Sequence, residues 1–197
     1  MRLIGLTGGI ASGKSTVSAL LREQGAFIID TDEIAHQVVE PGQSAYLDII
    51  AAFGDEIVAT DGTIDRLKLG KIVFQNTKFR VLLEEITHPP IEEQVNQLIQ
   101  LARSKSCSVV ILDIPLLFES GWDKRVDEVW VVAVDEITQL QRLIKRNNFS
   151  EQEAVARIKA QLPLAEKIRR ADQVIDNSGD LAQLQAKIAC LWAQAVQ

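Results

Sequence analysis

The nine residues from Gly8 to Thr16 read Gly-Gly-Ile-Ala-Ser-Gly-Lys-Ser-Thr. Gly8, Gly13, Lys14 and Ser15 meet the phosphate-loop spacing G-x-x-x-x-G-K-[ST]. This spacing requires a strand before it and a helix after it. Arg2-Leu3-Ile4-Gly5-Leu6-Thr7 is a short apolar run suited to a buried strand, and Val17-Ser18-Ala19-Leu20-Leu21 spaces its apolar residues as a helix does. In that setting the glycines let successive backbone N–H groups turn around one anion, and the helix aims its positive end at the same point. The expected nucleotide contacts are therefore Gly9, Ile10, Ala11, Ser12, Gly13, Lys14 and Ser15, with Thr16 an extra phosphate contact. Lys14 supplies a mobile charge, and the Ser15 hydroxyl suits Mg²⁺, which prefers oxygen ligands and bridges the outer phosphates of a nucleoside triphosphate. The alternative is a glycine-rich turn with no ligand. No G-x-G-x-x-G fingerprint occurs, which disfavours hydride transfer.

Carboxylates at later strand ends are the next candidates, because ligands of open α/β sheets sit beyond the carboxyl ends of the strands. Ala26-Phe27-Ile28-Ile29 is expected to be a second strand closing on Asp30-Thr31-Asp32. Asp32 is either a chemical group or, with Thr31, a cap on a helix beginning at Glu33. Ser108-Val109-Val110-Ile111-Leu112-Asp113 is a continuous β-branched run, as a fully covered parallel strand should be. Asp113 at its end is either a metal carboxylate beside Ser15 or an acceptor for loop amides. The segment from Ile114 to Glu119 is apolar for a connection, so Leu117 and its neighbours either pack beneath a site or form an apolar substrate wall. Strands are also expected over 128–134 and at Val174-Ile175, the latter followed by an Asn177-Ser178-Gly179 turn that either touches a nucleotide base or touches nothing.

Between the second and third strands the chain is helical over far more than the dozen residues a crossover needs. Helices are expected at Ser44 to Phe53, Asp65 to Phe74, Asn76 to Thr87 and Pro90 to Ser104, with His88-Pro89-Pro90 a non-helical junction. The surplus suggests an inserted substrate-binding region over about 36–105. Within it, Arg66 is either a ligand contact or a surface salt bridge, and His88 either a ligand contact or a helix C-cap.

Charge adds a second signal. The chain of 197 residues carries −6 overall, yet Arg142 to Arg170 holds eight basic residues against three acids, a net +5. A polyphosphate under a lid, over about 139–171, would match that segment; the alternatives are a solvated helix face or an RNA-binding patch. The acidic remainder argues against a general nucleic-acid binder. No apolar run reaches membrane-spanning length and no signal peptide is apparent, so a cytoplasmic protein is expected. Cys107 and Cys190 lack metal or redox spacing and are both expected in the core.

Taken together, these pieces resemble the dephospho-CoA kinase family over essentially the whole chain. They are Leu6 to Ile10 running into Ser12-Gly13-Lys14-Ser15, Asp30-Thr31-Asp32 with Ala35, His88-Pro89, Asp113 to Glu119, Arg157-Ile158 with Gln161, and Ile175-Asp176-Asn177. The resemblance implies an α/β P-loop NTPase fold of three layers, with a five-stranded parallel sheet, a helical insertion and a helical lid. It implies one domain whose core covers about 1–35, 106–135 and 172–197. It also implies transfer of phosphate from ATP, with Mg²⁺, to the ribose 3′-hydroxyl of dephospho-CoA. Lys14, Asp32, Arg142 and Arg146 are then the catalytic residues, with Asp32 taking the hydroxyl proton. Ser15 and Asp113 hold the metal, Asn177 joins the nucleotide site, and Asp32, His36, Arg66, His88 and Leu117 meet the acceptor. His36 stands where many relatives carry Arg, and Ala11 where many carry Gly. The partner expected is this small molecule, with no nucleic acid or membrane, in a monomer or small homo-oligomer. The rival readings are another nucleoside or nucleotide kinase, a polyanion-binding module, and a nucleotide switch. The switch lacks N-K-x-D, and its only D-x-x-G, Asp176 to Gly179, is out of order.

Overall fold

The computed structural model describes all 197 residues, and they form two compact units. The first unit comprises residues 1–30 and 102–197, and the second residues 31–101.

The first unit is built on five parallel strands: β1 (Arg2–Gly8), β2 (Phe27–Asp30), β3 (Val109–Asp113), β4 (Glu128–Ala133) and β5 (Gln173–Asp176). They lie in the order β2-β3-β1-β4-β5, as a five-stranded parallel sheet of an α/β fold. Parallel strands are covered on both faces, so they read as continuous apolar runs, and all five residues of β3 are buried. Alternate residues of the central strands, Ile4, Leu6, Val109, Ile111, Trp130 and Val132, pack with Val17 and Leu21 of α1 (Lys14–Glu23) and with Leu184 and Ile188 of α9 (Leu181–Ala195). The other side is as close. A Cβ on Gly5 would stand 2.9 Å from Leu117 Cδ1, so the glycine makes room for a fully buried leucine.

Three further helices of this unit, α6 (Glu136–Asn147), α7 (Glu151–Lys159) and α8 (Leu164–Arg169), connect β4 to β5. Asp135 caps α6 through the Thr138 N–H, and Ser150 with Glu153 forms a capping box on α7. Neither cysteine is buried: Cys107 is half-buried and Cys190 exposed. In α9 the buried stripe runs Leu184, Ile188, Ala195, and Cys190 lies two residues past Ile188, about 200° around the helix.

The second unit is helical: α2 (Thr31–Gln37), α3 (Ser44–Phe53), α4 (Arg66–Gln75) and most of α5 (Thr77–Ser104). Its core gathers Ile49, Ile57, Ile64 and Leu69 with Tyr46, Phe53, Ile72, Leu83 and Ile86 packed against them. The Tyr46 hydroxyl donates to the Gly62 carbonyl at 2.6 Å, pinning the turn between α3 and α4.

Two local expectations fail here. The second helix begins at Thr31 rather than Glu33, so Thr31 and Asp32 lie within its first turn and do not cap it. The His88-Pro89-Pro90 junction is absent, because α5 runs unbroken through both prolines for 28 residues. His88 is therefore mid-helix and caps nothing. The prolines remove the N–H groups that would reach the Glu85 and Ile86 carbonyls. Burial of Leu83 and Ile86 before them and Val95 and Ile99 after them outweighs that loss. No helix of the chain is long and apolar enough to cross a membrane.

Candidate active site

Beyond Gly8 the backbone closes a tight loop, with the Ser12 N–H donating to the Gly9 carbonyl at 3.0 Å. Ala11 has φ 61° and Gly13 φ 90°, two left-handed residues flanking Ser12. That alternation turns successive N–H groups to one side and makes an anion-binding concavity. At Gly13 no side chain fits: φ is positive, and a Cβ would run into Asn177 Nδ2. That amide donates to the Ser12 carbonyl at 2.8 Å, so the turn after β5 braces the loop rather than touching nothing. α1 starts at Lys14 with no side-chain cap, which leaves its first N–H groups directed outward.

Three of the expected loop donors already have acceptors. Ser12 N–H is used within the loop, Thr16 N–H donates to the Gly13 carbonyl at 3.0 Å, and Ile10 N–H donates to Gln161 Oε1 at 2.9 Å. The side chains of Ser15 and Thr16 are exposed at the mouth of the loop.

Lys14 and Asp113 meet across 99 residues of sequence. Lys14 Nζ donates to one Asp113 oxygen and Ser18 Oγ to the other. Lys14 and Ser18 are four residues apart, so α1 presents both on one face. Ser18 had no visible sequence signal, because a serine inside an apolar helix pattern reads as a neutral position. Asp113 is 1% exposed and shares register with Leu6 of β1 and Asp30 of β2. Burial pushes its carboxyl above the usual carboxylate range; Lys14 opposes the rise and Asp30 adds to it.

α6 lies against the same loop. Gln139 Nε2 donates to the Ile10 carbonyl at 2.9 Å, and Arg142 Nη2 donates to the Asn177 carbonyl at 3.1 Å. The Arg142 guanidinium also comes within 3.9 Å of where a Cβ on Gly13 would stand. Arg146, one turn further on, is exposed and donates to Asn147 Oδ1 at 2.8 Å.

The remaining charge of this basic segment is partly consumed inside the fold. Lys167, fully buried, pairs with Glu119 at 2.9 Å; Arg170 pairs with Asp123 at 2.6 Å; Arg169 pairs with Glu166 at 2.7 Å. Glu119 and Asp123 lie outside the segment, so their two pairs lower its effective charge below the net +5, in which Glu166 is already counted. Glu119 also accepts from the Leu162 N–H at 2.9 Å. The strap from the 114–119 loop to α8 went unseen in sequence because its partners are about 45 residues apart. Within that loop Leu117 packs beneath Gly5 and is 0% exposed, so its side chain offers no face to a substrate, whereas Leu116 is 46% exposed.

The remaining expected residues belong to the second unit. Asp32 and His36 are exposed and four apart on α2. Arg66 is exposed at the start of α4, just after the Asp65 cap, and His88 is exposed on α5. Asp32 follows by two residues the end of β2, which pairs with β3 at Asp30 and Asp113.

Known proteins share this architecture. Residues 2–183 match the family model described as dephospho-CoA kinase. A dephospho-CoA kinase of Symbiobacterium thermophilum is 50% identical over 195 residues, 99% of this chain and 82% of the relative. One from Geobacillus kaustophilus is 52% identical over 191 residues, covering 97% of this chain and 95% of the relative. The solved dephospho-CoA kinase of Campylobacter jejuni superposes with a TM-score of 0.74 at 28% identity, covering 98% of this chain and 96% of that one. With the family model matching residues 2–183 and relatives about half identical along nearly its whole length, this chain belongs to the dephospho-CoA kinase family.

Proposed function

We propose that this kinase transfers the γ-phosphoryl group of ATP to the ribose 3′-hydroxyl of dephospho-CoA, giving coenzyme A and ADP. The observation that carries the reading is the Lys14–Asp113 pair set beside a left-handed main-chain cradle, in a chain of this family.

The N–H groups of Ala11, Gly13, Lys14 and Ser15 and the Lys14 ammonium hold the β and γ phosphates. Lys14 is a point charge on a flexible stem, able to exchange Asp113 for a phosphate oxygen. Arg142, already beside Gly13, neutralises charge on the transferring group, and Arg146 joins it from the same helix. Asp32 accepts the proton of the acceptor hydroxyl, while His36, Arg66 and His88 contact the acceptor from the helical insertion. Phosphoryl transfer passes through a loose transition state, so positioning and fixed charge supply most of the rate. Enclosing the reacting groups with the 139–171 lid also keeps water from taking the phosphoryl group.

Mg²⁺ belongs to this reading. This ion keeps several waters and binds through one or two protein oxygens plus substrate phosphates. The Ser15 hydroxyl and the Asp113 carboxylate are donors of this kind, and when bound the ion neutralises charge on the outer phosphates. The acceptor is a soluble metabolite, so the cytoplasm is the compartment assigned.

A turnover assay with MgATP and a panel of hydroxyl acceptors tests the whole reading. Phosphate should appear on dephospho-CoA, and Lys14→Ala should lower kcat by roughly 10²–10³. Preferential phosphorylation of adenosine or AMP would overturn it.

A further inference from the structure

Ile10 is the one phosphate-loop residue whose two main-chain polar groups are both taken by distant side chains. Its N–H donates to Gln161 Oε1 and its carbonyl accepts from Gln139 Nε2, each at 2.9 Å, across 151 and 129 residues of sequence. Gln139 sits in α6 and is 3% exposed; Gln161 follows α7 by two residues. Both side chains border a cavity of about 430 Å³ between α6, α7 and α8. Dense packing therefore does not fix Gln161 on that side, and the bond to Ile10 sets its position.

We infer that Gln139 and Gln161 are positioning residues that clamp the two peptide groups flanking Ile10 and so hold the phosphate cradle in its binding shape. The next residue, Ala11, has φ 61°, a conformation a side-chain-bearing residue adopts only when its surroundings hold it there. Fixing the peptide just before it does so. With both its polar groups engaged, Ile10 anchors the cradle, and phosphate binding begins at Ala11. The clamp rests on the ATP-binding reading above.

The two hydrogen bonds have opposite polarity, and this supplies the test. Glutamate at 161 keeps an acceptor for the Ile10 N–H, whereas glutamate at 139 loses the donor and sets a carboxylate against the Ile10 carbonyl. Each substitution places one negative charge beside Ile10, and only the one at 139 removes a hydrogen-bond donor. Gln139→Glu should bind ATP about tenfold more weakly than Gln161→Glu. Gln161→Met, which removes the acceptor, should raise KM for ATP about tenfold with KM for dephospho-CoA unchanged. Equal ATP affinity in the two glutamate variants, or an unaltered KM for ATP in Gln161→Met, overturns the clamp. Should the methionine variant fail to fold, the glutamate pair alone decides. Wild-type protein that binds no ATP at all would instead defeat the kinase reading on which the clamp stands.

Discussion

Gly13 carries two demands at once, a φ of 90° and the closeness of Asn177 Nδ2. A methyl group there must strain the backbone and push aside the amide that braces Ser12. Gly13→Ala should therefore lose about 1–3 kcal/mol of stability in urea unfolding and most of its ATP binding in titration. Asp32 has a different profile, because its proposed part is in the chemical step alone. Asp32→Asn, nearly isosteric, should lower kcat by about 10²–10⁴ while ATP affinity stays within about twofold; full kcat would remove it as the base. Single residues in the loop were legible from sequence because each meets a local stereochemical demand. Ser18 was not, because its value comes from Asp113, 95 residues away, which its hydroxyl reaches only once α1 lies beside β3.

At the scale of elements, Pro89 tests how α5 persists. Alanine there restores an N–H for the Glu85 carbonyl and removes the ring's clash, so Pro89→Ala should stabilise by about 1–3 kcal/mol in urea unfolding. A loss of stability would mean that the helix depends on the proline. The Glu119–Lys167 strap predicts a pH effect. Burial disfavours the charged form of Glu119, but bonds from Lys167 and the Leu162 N–H outweigh it and hold the carboxyl below its ordinary 4.5. A lowered folded-state value means that the strap stabilises fully above about pH 4.5 and that this contribution fades as pH falls through the folded-state value. Thermal melts of Glu119→Gln should accordingly show a weaker loss of Tm below pH 4.5 than wild type. α3 and α4 are readable almost to the residue, since Gly54 stops the first and Asp65 caps the second. In α5 the local rule about proline points to a break, whereas burial within the folded unit keeps the helix whole, and Cys190 is apolar in type yet lies off the buried stripe of α9.

For the whole molecule, ATP should act as a stabiliser. At about 100 times its Kd it adds about 2.7 kcal/mol, and for a chain of this size that raises Tm by about 5–10 °C. Lys14→Ala should lose most of that shift in the same thermal scan. The class of fold followed from one loop and a few apolar runs, yet the strand order β2-β3-β1-β4-β5 did not, since parallel strands look alike in sequence and their neighbours are chosen by the crossovers. The basic segment likewise shows in sequence only its charge, whereas in the fold Lys167, Arg169 and Arg170 serve neighbouring carboxylates. Those same contacts have a mechanical result. At one margin Gln139 and Arg142 hold α6 to the phosphate loop and the Asn177 turn, and at the other Lys167 and Arg170 moor α8 to Glu119 and Asp123. A cover stitched at both margins opens only by undoing one of these seams or by bending between them.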